Sequence, residues 1–139
     1  MKLQVIMGTF VMLSSIGALA SSWTEKLTCE FTRYGEDETV VKSIETTKFI
    51  VAGPHNGESG TVKINSNLIP SYSVVYNLKA SGRYDLDTLT TILNSNDKIV
   101  AKSSVFDYGK NIKIKNQFVT ENGDYLITIE CNNSTVIHK

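Results

Sequence analysis

An antiparallel β-sandwich of about eight strands is the fold class that this sequence predicts, and three observations carry the prediction. Apolar and polar residues alternate through short runs rich in Val, Ile, Thr and Tyr, the residues that suit a pleated, half-buried surface. Turn signals, including two Asn-Gly pairs, separate those runs at short spacing. No stretch of helical period is long enough to compete convincingly. The same signals admit two alternatives: a small β-barrel, or an α+β fold in which residues 84–93 form one short helix.

Residues 1–20 stand apart. Lys2 is their only charge, an apolar stretch runs from Val5 to Ile16, and Ala18-Leu19-Ala20 closes it with small residues. That order of regions predicts a cleaved secretory signal peptide. Gly8, Thr9, Ser14, Ser15 and Gly17 interrupt the stretch, which falls short of the ~20 apolar residues of a spanning helix. Cleavage after Ala20 leaves a single all-β domain, 21–139, expected in the periplasm or outside the cell with no membrane insertion.

In the first strand Leu27, Cys29 and Phe31 alternate with Thr28, Glu30 and Thr32. Glu36-Asp37-Glu38 follows as a solvated turn, because three like charges repel. The chain is then extended from Val40 to Ala52, with Val41, Ile44, Phe49 and Val51 as inward positions. The change of phase between Ile44 and Phe49 predicts a bulge. Asn56-Gly57 marks the next turn and sets Phe49 opposite Ile64 and Val51 opposite Val62.

After Pro70, Tyr72, Val74, Tyr76 and Leu78 alternate with polar neighbours, a place where a strand tolerates proline. Leu86, Leu89 and Leu93 fit a helical stripe, but Thr88, Thr90 and Thr91 disfavour a helix, so 84–93 reads as a strand. A turn at Asn94–Asp97 sets Ile92 opposite Ile99, Thr90 opposite Ala101 and Leu86 opposite Val105. The final hairpin turns at Asn122-Gly123, suited to a tight type I′ turn because both positions need positive φ. Its register places Phe118 opposite Ile127, Ile114 opposite Cys131, Lys115 opposite Glu130 and Gln117 opposite Thr128. Asn116 opposite Ile129 is the misfit.

Cys29 and Cys131 are the only cysteines, each on the apolar face of its strand. In an exported chain such a pair forms a structural disulfide. A redox role would favour Cys-x-x-Cys, which is absent.

Chemistry is sparse. Beyond the leader, 13 basic residues stand against 14 acidic ones, a balance that argues against nucleic acid as a partner. His55 lies in a Gly-rich turn and His138 is the penultimate residue, so neither reads as a catalytic base or a zinc ligand. Asp85, Asp87, Asp97, Asp107 and Asp124 sit at turns, where Asp serves turn geometry. Asp85-x-Asp87 lacks the rest of a calcium loop, and no cofactor is implied. Asn132 and Asn133 are overlapping acceptors for N-linked glycans in a eukaryotic secretory route.

Tyrosine supplies contact area with a polar tip, so Tyr34, Tyr72, Tyr76 and Tyr108 are the candidate binding surface. The expected function is a non-catalytic exported binding module for a protein or glycan. A small carboxylate-dependent hydrolase and a structural subunit of a surface assembly are the alternatives.

Overall fold

The computed structural model describes residues 21–53, 58–81, 84–93, 97–107 and 113–136. They form eight strands: β1 (Ser21–Gly35), β2 (Val40–Gly53), β3 (Glu58–Asn65), β4 (Tyr72–Ser81), β5 (Tyr84–Leu93), β6 (Lys98–Asp107), β7 (Lys113–Val119) and β8 (Tyr125–Val136). Every pairing is antiparallel, in the order β6-β5-β4-β3-β2-β1-β8-β7. The predicted all-β class is therefore observed, and 84–93 is a strand.

One junction in that order is thin. Among the described residues β2 and β3 meet at a single ladder pair, Ala52 with Ser59, which divides the structure into two four-stranded sheets, β3–β6 and β2-β1-β8-β7. Gly60 lies so close to β2 that a Cβ there would sit 2.8 Å from the Ile50 carbonyl oxygen and 2.9 Å from the Phe49 ring; only glycine fits such an approach. Further along, the Ser43 and Ser66 hydroxyls meet at 2.8 Å. On the far side β6 touches β7 through side chains rather than a ladder. The two sheets thus curl into a nearly closed form, in which the two layers of a sandwich and the walls of a small barrel become the same geometry.

The core lies between the sheets, lined by the alternate residues of each strand. Leu27, Cys29 and Phe31 from β1 meet Ile127, Ile129 and Cys131 from β8, with Val74, Tyr76 and Leu89 opposite. Two ring contacts cross from sheet to sheet: Phe49 with Tyr76 at 6.0 Å and Tyr72 with Phe118 at 5.0 Å between centroids. Cys29 and Cys131 pair directly across β1 and β8 and form the expected disulfide.

Several local expectations change. β1 and β2 pair without interruption from Ser21–Gly53 to Tyr34–Val40, so β2 has no bulge. The inward phase of Phe49 and Val51 continues through Glu45 and Ser43, and Ile44 faces outward at 65% exposure. A bulge occurs elsewhere, at Thr91/Ile92, where Ile92 pairs with Ile99 and Thr91 with Ala101. The extra residue, Val100, moves every later pair by one, so Leu86 faces Phe106 and Asp87 faces Val105. The β7–β8 register is as predicted, but the turn is longer. Thr120 N donates to the Tyr125 carbonyl at 2.9 Å and Gly123 N to the Thr120 carbonyl at 2.8 Å. Only Gly123 there takes positive φ, 77°, which describes a four-residue loop rather than type I′. The turn residues Asn56 and Gly57 lie outside the described residues.

The acidic turn is exposed as expected. Gly35 N bonds the Thr39 carbonyl at 2.9 Å, and the Thr39 hydroxyl, donating to Asp37 at 2.5 Å, holds that carboxyl below its usual range.

Candidate functional site

The buried stripes of β1 and β8 do not stop at the edge of the apolar core. Period-two alternation carries β1 from Phe31 to Arg33, and β8 back from Ile127 to Tyr125. Both residues therefore sit on the inward phase at the mouth between the sheets. The Arg33 guanidinium carbon lies 4.8 Å from the centroid of the Tyr125 ring, within the range of a cation–π contact. Gly35 pairs with Tyr125 and Arg33 with Ile127, so the ladder fixes the two partners side by side.

These residues belong to a cleft of about 610 Å³. Its floor is apolar, made by Leu68, Ile69 and Tyr72 with Ile127 fully buried beneath, and its rim is polar, with Glu121 and Asp124 from the β7–β8 turn. The β3–β4 connection is shaped for this by two successive turns. Ile69 N donates to the Ser66 carbonyl at 3.2 Å and Tyr72 N to the Ile69 carbonyl at 3.0 Å, which folds Ile69 inward to 5% exposure. The tilted Tyr72–Phe118 pair props the floor from beneath.

Of the four tyrosines singled out by sequence, the structure brings one to the cleft. Tyr72 lines it with its ring largely buried. Tyr76 is fully buried and cannot present a surface; its hydroxyl donates to Asp87 inside the core. Burial first, then that bond, raises its pKa far above the ordinary tyrosine value. Tyr34 is exposed on the opposite face of β1 from Arg33. Tyr108 lies outside the described residues, as do His55 and His138. Arg33 and Tyr125 were missed as a pair. The signal that could have found them is phase: each continues a core stripe, and a charge or phenol at such a position ends up at the mouth.

Two carboxylates lie in the interior, apart from the cleft lining. Asp87 is fully buried, and Glu25, 3% exposed, accepts from Trp23 Nε1 at 2.6 Å and from the Thr135 hydroxyl at 2.9 Å. Outside, Glu30 and Glu130 face each other across β1 and β8. Lys42 pairs with Glu30 at 2.8 Å and Lys113 with Glu130 at 2.5 Å. Lys115 is in register with Glu130, yet the diagonal lysine takes the carboxylate. The Lys42 contact holds Glu30 below its usual carboxyl range. Asn132 is exposed on this face and Asn133 is buried. Among the described residues no group of three His, Cys, Asp or Glu could hold a metal. No protein-family model, curated protein or solved structure matches the chain, so the geometry of the mouth stands as the ground for a functional reading.

Proposed function

We propose that this chain is an exported, non-catalytic binding domain that holds its ligand in the mouth between its two sheets. The observation that carries the reading is the cleft itself, at which both central core stripes end in Arg33 and Tyr125. Its volume, about 610 Å³, falls in the range of small-ligand sites, and an apolar floor with a few polar groups is their usual composition. A protein segment or a glycan terminus would fit a site of that size.

Export is supported by the leader pattern of residues 1–20 and by the disulfide, which persists in oxidising compartments. The exposed lysines of the outer face, Lys26, Lys48, Lys63, Lys79, Lys102 and Lys115, support a domain that works in water. A lipid-embedded barrel needs an apolar belt there instead. Binding is favoured over hydrolysis because the buried carboxylates, Glu25 and Asp87, are not among the cleft residues. Those at the rim, Glu121 and Asp124, are exposed.

An amide-resolved NMR screen of the disulfide-bonded domain against small peptides and saccharides tests the proposal. The expected result is a set of saturable shifts centred on Arg33, Tyr72 and Tyr125, lost in Tyr125→Ala, with every probe recovered unchanged. Shifts confined to the opposite end of the sheets, or turnover of a probe, would overturn it.

A further inference from the structure

The cleft contains a cation that forms no ion pair among the described residues. Glu121 and Asp124 line the same space, yet the Arg33 side chain makes no ion pair and no hydrogen bond among the described residues, and its guanidinium lies over the Tyr125 ring. A guanidinium stacked on an aromatic face keeps its planar edge, with several N–H donors, free to meet a second planar group. Stacking also restricts the side chain before a ligand arrives, which lowers the entropy lost on binding. The group that matches this edge is a carboxylate, which accepts two parallel N–H bonds.

What lies next to the cation narrows the ligand further. Half-buried Leu68, with the small uncovered parts of Ile69 and Tyr72, offers apolar surface rather than the hydrogen-bonding array that a sugar ring requires. We infer that the mouth binds a monocarboxylate carried on an apolar body, its carboxylate on Arg33 and its apolar part on the floor. This inference rests on the binding reading above and assigns its chemistry. The exposed Glu121 and Asp124 set a limit, since a second carboxylate on the ligand would meet like charge at the rim. Two sources share this chemistry: the carboxyl terminus of a peptide ending in an apolar residue, and a free aliphatic acid.

The test uses matched probes on the disulfide-bonded domain: N-acetylphenylalanine against N-acetylphenylalaninamide, and octanoate against octanol. Affinities come from NMR titration of the cleft amides. The acids are expected to bind roughly 10–100-fold tighter than their neutral partners, the range for a charge-assisted hydrogen-bonded contact. Arg33→Gln is expected to erase that preference while leaving affinity for the neutral partners within about twofold, a split that a purely structural Arg33 would not produce. N-acetylphenylalanine binding more tightly than octanoate supports the peptide terminus, and the reverse order supports the aliphatic acid.

Equal binding of acid and neutral partner at the cleft would overturn the carboxylate inference and leave the binding reading standing. Persistence of the preference in Arg33→Gln would remove Arg33 as the anchor and overturn it likewise. If no cleft amide moves for any of the four probes, and the peptide and saccharide screen is also silent there, both fall.

Discussion

Asn116→Ala should cost the domain about 3 kcal/mol, because this one amide makes three of the polar contacts that join β7 to the opposite sheet. Asn116 is 3% exposed. Its Nδ2 donates to the Leu89 carbonyl and to the Thr91 hydroxyl, both at 3.1 Å, and its Oδ1 faces the Ser103 hydroxyl. That hydroxyl also reaches the Lys115 carbonyl at 2.6 Å. Three contacts at roughly 1 kcal/mol each give the figure, and buried partners left unmet push it up rather than down.

Urea unfolding followed through the single tryptophan, Trp23, is the assay. The midpoint should fall with the slope unchanged, and Tm should drop by roughly 10 °C. Gln117→Ala, one residue along and exposed, is the control and should stay within about 0.5 kcal/mol. Asn116→Asp should be worse than alanine, because a carboxylate would face the Leu89 carbonyl. If Asn116→Ala lands within about 0.5 kcal/mol of the parent, the β6/β7 seam is held by something other than this amide.

Removing the disulfide by Cys29→Ala with Cys131→Ala should cost about 4–5 kcal/mol on the chain-entropy account, given a sequence separation of 102; a change under ~1 kcal/mol in urea unfolding would contradict it. Tyr76 keeps its proton more tightly in the fold than in the unfolded chain, so the unfolded state releases that proton first as alkalinity rises. Stability from this group is therefore complete below pH ~10 and declines above it. Tyr76→Phe should show a shallower alkaline decline in a pH series of urea midpoints, and an identical slope in the two proteins would refute the assignment.

The hairpin β7–β8 was legible because two alternations flank one Asn-Gly pair, and a one-residue slip would bury Lys115 or expose Ile127. The β5–β6 register was not, because Val100 is an ordinary apolar residue and nothing in its type announces that it stands unpaired. Ile44 misled for the reason that apolar side chains also occur singly on surfaces. Tyr72 and Tyr76 read as surface candidates by residue type, yet their own alternation with Val74 and Leu78 already put them inside. Asn116 was visible as a misfit opposite Ile129. Its meaning was hidden, because Leu89 and Thr91 come from β5, two strands back, and Ser103 from β6, which pairs with β5 rather than with β7.

The order of strands also bears on how the chain reaches this structure. β3 to β6 are consecutive hairpins, so that sheet can assemble from neighbours as the polypeptide lengthens. The other cannot: β1 must wait beside β2 for β8, its remaining partner, 90 residues or more downstream in the register from Gly35 with Tyr125 onward. Contacts so remote in sequence slow the search for the native arrangement. Until β8 arrives, β1 presents an unpaired backbone edge, the kind of surface that recruits a foreign strand. Completion of the sheet by the last strand protects the first.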